Sequence, residues 1–284
     1  MMIFLVIAAI VPIIFLCYYI YKKDVNHEPK NLLAKIFILG FFSAIPILVC
    51  EIFMKSFLGG NDSKYFIIIF INTFMSIGII EEGFKWIVTM VLGYHNKEFD
   101  EVYDIIVYAV FASLGFACIE NILYVLQNGI GNAILRALIS IPGHMCFGVI
   151  MGYFFAQAKL GRINGNTSIF TRNIIFSILV PSLMHALYDT FIFHFINANN
   201  YFSFLLFFVF YITMVILCFR TVNKTSRIQQ NLHNTIQIGI IVPREDGQIE
   251  YKNPYANKTV NYCPICGNNV EGANFCSHCG FKLK

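Results

Sequence analysis

Two adjacent carboxylates and a lysine, Glu81, Glu82 and Lys85, stand in the stretch GIIEEGFKWIV (78–88). The flanks YFIIIFINTFMSI (65–77) and VTMVLGY (88–94) carry no charge. Further along, GFACIENILY (115–124) holds Glu120 and Asn121, PGHMCFG (142–148) holds His144, and PSLMHALYD (181–189) holds His185 and Asp189. Carboxylates and imidazoles around one wet cavity are the inventory of a hydrolase. A carboxylate can take a proton from water, and an imidazole can position that water or stabilise an oxyanion. No serine or cysteine nucleophile has a dedicated base. Neither Gly-x-Ser-x-Gly nor His-Glu-x-x-His occurs in the chain.

The elements that must position these groups are membrane helices. Of 284 residues, 57% are hydrophobic and 13% charged, against roughly 45–50% and about 25% in soluble domains. Runs long enough to span a bilayer fall at 3–20, 35–55, 65–93, 102–127, 136–158, 173–197 and 201–219. The reading is an all-α polytopic membrane protein with about seven transmembrane helices. Lys22 and Lys23 follow the first run rather than precede it, so it reads as a retained span rather than a signal peptide. Lys and Arg gather after spans one, three, five and seven, including Lys97, Lys159, Arg162 and Arg220. The positive-inside rule then places the N-terminus outside and the C-terminus in the cytoplasm of a multi-pass cell-membrane protein. The small net charge of +4 gives no argument for nucleic acid.

Charges inside the spans cost about 2.5–3.5 kcal/mol each at a helix centre and mark functional sites. Glu81 and Lys85 are i,i+4 in the favourable order for an ion pair. Glu82, about 100° around the helix, is expected to look elsewhere. Asp189, one turn from His185, is expected to orient that imidazole. Each group has a structural explanation when taken singly: hydrogen bonding between helices, an interfacial histidine, a self-satisfied pair. Four spans carrying them at similar depth point to one shared polar cavity. A proton-coupled transporter using the same carboxylates is the alternative, but no inverted repeat is visible.

The chain divides into a membrane domain (1–219), a polar linker (220–260) and a C-terminal module (261–284). YCPICGNNVEGANFCSHCGFKL (262–283) carries two Cys-x-x-Cys pairs. Cys263, Cys266, Cys276 and Cys279 form a tetrahedral four-thiolate set for structural zinc. In so short a module, metal binding is folding. The remaining cysteines, scattered in apolar runs, read as buried hydrophobes.

These motifs, in this order, resemble the PrsW family of intramembrane proteases, relatives of the prenyl endopeptidase and bacteriocin-processing membrane proteins. DVNHEPKNLLAKIFILG (24–40), EEGFK (81–85), FDEVYDIIVYAVFASLGFACIENILY (99–124), RALISIPGHMCFGVIMGY (136–153) and HALYD (185–189) are similar to its motifs. Asp104 is followed by Ile-Ile where the family pattern has a glycine-containing segment. The resemblance implies cleavage of a membrane-anchored, single-span protein. In the type member this is the first cut in an anti-sigma factor, releasing a stress-response sigma factor. It implies Glu81, Glu82, His144 and His185 as essential residues, with Glu120 and Asp189 beside them. A metal-free, glutamate-based site is favoured, on the premise that adjacent glutamates on a helix point apart. The zinc ribbon lies outside the family core and suggests a cytoplasmic partner.

Overall fold

The computed structural model describes residues 2–163, 165–237, 241–243 and 249–251. The proposed zinc ribbon, with Cys263, Cys266, Cys276 and Cys279, lies outside the described residues. Nine α-helices are described: α1 (Met2–Lys23), α2 (Lys30–Phe42), α3 (Ala44–Leu58), α4 (Phe66–Thr73), α5 (Ile79–Val88), α6 (Asp104–Leu138), α7 (Ser140–Ile163), α8 (Thr167–Ala198) and α9 (Tyr201–Gln237). Two π-helical segments, Phe74–Gly78 and Thr89–Tyr94, flank α5. Beyond the helical body, β1 (Ile241–Pro243) and β2 (Ile249–Tyr251) pair antiparallel, with Val242 opposite Glu250.

Among the described residues, six helical segments are long and apolar enough to cross a membrane: 2–23, 30–58, 66–94, 104–163, 167–198 and 201–231. The outer faces of α1, α3 and α9 leave Phe15, Ile45, Phe53 and Leu205 exposed. Such faces suit lipid, where no water needs to be excluded. The 60-residue segment 104–163 would measure about 90 Å as one helix, three times the hydrocarbon thickness. The chain instead reverses. Gly129 leaves helical geometry at φ 77°, and Ile139 separates α6 from α7.

α7 then packs antiparallel on the first part of α6. A Cβ at Gly148 would stand 2.9 Å from Val110 Cα, and one at Gly152 would stand 2.6 Å from Ile106 Cα. Small residues let membrane helices touch backbone to backbone. The small residues of this contact come from α7, while Ile105 and Ile106, which follow Asp104, are fully buried. α6 lies at the centre, packed by α1, α2 and α7, and Tyr103, Ile106, Tyr108, Phe147 and Phe155 fill the core.

The helix α9 runs through 220–237, where the sequence reads as the start of a polar linker. Polar residues such as Lys, Arg and Gln are good helix formers, and a hydropathy boundary marks only where lipid ends. Val222, Thr225 and Gln229 on this extension are buried, and Ser226 Oγ donates to the Lys23 carbonyl at 2.5 Å. The five cysteines of the apolar runs, Cys17, Cys50, Cys118, Cys146 and Cys218, are free.

Candidate active site

The site begins at α5. A π turn accommodates an extra residue and rotates the side chains that follow it; such turns are frequent at functional sites. Here one lies on each side of IIEEGFKWIV. The first ends at Gly78, where a Cβ would lie 2.5 Å from the Ser182 carbonyl oxygen of α8. Thr73 Oγ1, at the end of α4, and Thr190 Oγ1 of α8, 2.8 Å apart, fasten the turn before this π segment to the same helix. This close packing brings the carboxylates of α5 to the imidazole of α8.

Lys85, fully buried, is the centre of the cluster. Its Nζ donates to Glu81 Oε2 at 3.0 Å and to Glu82 Oε1 at 2.8 Å, and it lies 3.3 Å from His144 Nδ1. It also sits 4.2 Å from the centre of the Phe116 ring. The expectation that Glu82 looks away from this lysine is therefore corrected. A lysine stem reaches both the i−4 and i−3 positions, which neighbour each other on a helix surface. An ammonium can only donate, so His144 Nδ1 accepts and its Nε2–H is left to donate. The acceptor is Glu120 Oε2, at 3.0 Å.

Glu120 is held from a second direction. Arg136 Nη2 donates to Glu120 Oε2 at 2.6 Å, and Arg136 Nε donates to Asn121 Oδ1 at 2.8 Å. Asn121 passes the contact on, donating to the Ala9 carbonyl of α1 at 2.8 Å. Arg136 was legible in the sequence only as a charge at a span edge. The break at Gly129 folds it back onto a residue sixteen positions earlier, and no helical spacing announces such a contact.

His185 Nδ1 donates to Glu82 Oε1 at 2.9 Å. Asp189 lies 3.7 Å from His185 Nε2, beyond hydrogen-bonding distance. Glu82, not Asp189, thus orients His185, correcting the reading from i,i+4 spacing. The Phe147 ring stacks on the imidazole at 4.7 Å and fixes its plane.

A cavity of about 650 Å³ opens beside the cluster. Glu81, Glu120, Arg136, His144, His185 and Asp189 line it, together with Phe116, Phe147 and Tyr188. Glu82 does not line it and is fully buried. Glu51 and Lys55 of α3 also reach the wall. The rule that flags Glu81, a charge inside an apolar run, would have flagged Glu51 as well.

Glu81, Glu82, His144 and His185 each offer one donor atom, and these atoms lie within 4.8 Å of one another. The premise that adjacent glutamates make poor joint ligands does not hold in this fold. Glu82 Oε2 is buried without a hydrogen-bond partner, and the Lys85 ammonium already occupies a cation position among the donors. A mixed nitrogen and oxygen set of this kind fits a zinc-like divalent ion.

The helical bundle and its buried acid–imidazole cluster define a polytopic membrane hydrolase. Residues 28–217 match the PrsW family of intramembrane metalloproteases, and the chain belongs to that family. It is 41% identical over 182 residues to Protease PrsW of Oceanobacillus iheyensis, covering 64% of this chain and 80% of that protein. With Protease PrsW of Bacillus subtilis it is 37% identical over 184 residues, 64% of this chain and 79% of the relative. With that of Clostridioides difficile it is 33% identical over 190 residues, 65% and 77%. No solved structure matches significantly. Family membership decides for an intramembrane protease over a transporter built on the same carboxylates.

Proposed function

We propose that the protein cuts a single-span membrane protein of the anti-sigma factor kind, with Glu81 taking the proton from the attacking water. One observation carries the assignment: Glu81 lines the cavity with both imidazoles, while Glu82 is fully buried and does not reach it. Glu82 then acts as a positioning residue, holding His185 through Nδ1 and leaving Nε2 for substrate or water. His144, held between Lys85 and Glu120, offers its ring edge to the cavity. The aromatic wall takes the apolar segment of the substrate. A divalent ion would take the place of the Lys85 ammonium among Glu81, Glu82, His144 and His185, and when bound it supplies Lewis acidity toward the scissile carbonyl.

The test is co-expression with a tagged single-span substrate. Loss of cleavage in Glu81→Gln and His185→Ala supports these roles, and wild-type cleavage in either overturns them. 1,10-Phenanthroline is expected to stop cleavage by the purified enzyme, and added zinc to restore it. Comparative membrane proteomics of wild type and Glu81→Gln would identify the substrate as the single-span protein that accumulates uncut.

The membrane topology belongs to the same reading. We infer seven crossings, with α6 and α7 counted separately, the N-terminus outside and the C-terminus cytoplasmic. The basic loops support this orientation. The tail 261–284 reads as a zinc ribbon on Cys263, Cys266, Cys276 and Cys279, presented to a cytoplasmic partner.

A further inference from the structure

A second acidic cluster lies outside the cavity. Asp24 and Glu28 stand in the connection between α1 and α2, Glu101 in the loop after Tyr94, and Asp104 at the start of α6. Asp24, Glu28 and Asp104 are 3%, 5% and 1% exposed. One carboxylate oxygen from each of Asp24, Glu101 and Asp104 lies within 4.8 Å of the other two. Among the described residues, none of the four carboxylates makes an ion pair. Lys159 and His27, the basic side chains beside the cluster, make no ion pair with it. Lys159 donates to the Phe99 carbonyl and rests 3.5 Å from that ring, and His27 packs on Tyr21.

The hydrogen bonds that exist leave oxygens over on Asp104 and Glu101, while both Asp24 oxygens are engaged, Oδ2 by the Glu28 N–H at 3.2 Å. Asp104 Oδ2 accepts from the backbone N–H groups of Asp100 and Glu101 at 3.1 and 2.6 Å, while Oδ1 has no partner. Glu101 Oε1 accepts from Asn26 at 2.5 Å, while Oε2 has none. Gln229 of α9, 4% exposed, donates through Nε2 to Asp24 Oδ1 at 3.1 Å, and its own carbonyl oxygen is buried without a partner. Glu28 is partnered, by Tyr108 Oη at 2.5 Å. Burial pushes the Glu28 and Glu101 carboxyls up to about 7 and holds Asp24 above its ordinary value. Buried carboxylates without counter-charge are costly. An oxygen-only set of carboxylates and a carbonyl is what Ca²⁺ and Mg²⁺ take, whereas zinc prefers nitrogen and sulfur.

We propose that Asp24, Glu101 and Asp104, with the side-chain oxygen of Gln229, bind one hard divalent cation, Ca²⁺ or Mg²⁺. The ion would join four parts of the chain: the α1–α2 connection, the loop before α6, the start of α6 and the far end of α9. It would act as a clamp on the face that carries the basic loops, separate from the hydrolytic cluster. It would fix the base of α6, the central helix that carries Glu120, and the segment of α9 leading to the tail.

The experiment uses the full-length protein in detergent, stripped with EDTA and dialysed. CaCl2 and MgCl2 are titrated separately by calorimetry, and thermal unfolding is followed with and without each. A saturable single site and a raised Tm with one of the two salts are expected. Both should persist in Glu81→Gln, which leaves the clamp intact. Glu101→Gln keeps a partner for Asn26 and should weaken binding by about tenfold or more, removing the Tm shift. Asp104→Asn should do the same; because Asp104 also receives two backbone N–H groups, Glu101→Gln is the deciding variant. Absence of saturable binding by both cations at millimolar concentration would overturn the proposal. So would Glu101→Gln binding like wild type, or loss of binding in Glu81→Gln, which would place the ion in the active site.

Discussion

Lys85 is the side chain on which the active cluster turns. It is fully buried and compensates two carboxylates at 3.0 and 2.8 Å. Removing one partner of a buried ion pair leaves charge stranded, at about 3–5 kcal/mol. Lys85→Met should therefore lower stability by about that amount, read as a reduced midpoint of chemical or thermal unfolding in detergent. Glu81→Gln should behave differently. It keeps the volume and a hydrogen-bonding group but loses the proton acceptor. Cleavage should fall by about 10²–10⁴-fold, while the unfolding midpoint changes less than in Lys85→Met. The pair Glu81–Lys85 was legible from i,i+4 spacing. The contact of the same lysine with Glu82 is not legible there, because a flexible four-carbon stem can turn to the i−3 as well as the i−4 position.

At the scale of elements, two glycines decide whether the cluster assembles. Gly78 allows α5 and its π turn to meet the backbone of α8. A methyl group there would stand 2.5 Å from the Ser182 carbonyl oxygen, so Gly78→Ala must push the helices apart. A shift of about 1 Å at a catalytic constellation can cost about 10²-fold in rate, and that loss is expected in a cleavage assay. Gly83→Ala is the control, because its Cβ would meet only Ile178 Cδ1, at 3.9 Å. It should keep activity and leave stability equal or slightly raised. Gly129, at φ 77° and ψ −166°, adopts a conformation essentially confined to glycine, costing another residue about 1–3 kcal/mol. Gly129→Ala should destabilise by that amount and weaken the closure of Arg136 on Glu120, seen as reduced cleavage as well as a lower unfolding midpoint. Neither π turns nor the reversal at Gly129 has a hydrophobic period of its own. Hydropathy marks spans there, but not their phase or the contacts across the turn.

For the whole molecule, the clearest expectation concerns sides of the membrane. Single cysteines introduced on a background lacking the native ones should label in two groups with an impermeant reagent. The connection 24–29 and the loop 95–103 should share a side, since Asn26 and Glu101 touch at 2.5 Å. The loop 59–65 should lie with residues 199–200 on the other side, consistent with Asn197 donating to the carbonyls of Asn61 and Ser63. Labelling that mixes these groups would overturn the seven-crossing topology. The bundle also explains why the cavity can remain polar inside lipid. The first part of α6, from Asp104 to Cys118, and much of α7 are buried, while α1, α3 and α9 present their apolar faces outward.

The sequence by itself determined the class of molecule, because apolar runs of spanning length and rare charges within them follow from the energetics of a water-free interior. It also identified Glu81, Glu82, Glu120, His144, His185 and Asp189 as the residues to watch, since charges and imidazoles in such runs have few other reasons to be there. Tertiary structure alone decided how they divide. Helix packing placed Glu81 at the cavity wall and buried Glu82 away from it, gave His185 to Glu82 rather than Asp189, and brought Arg136 back to Glu120. Those outcomes depend on helix phase and close approach between segments far apart in the chain, quantities that spacing along one helix does not contain.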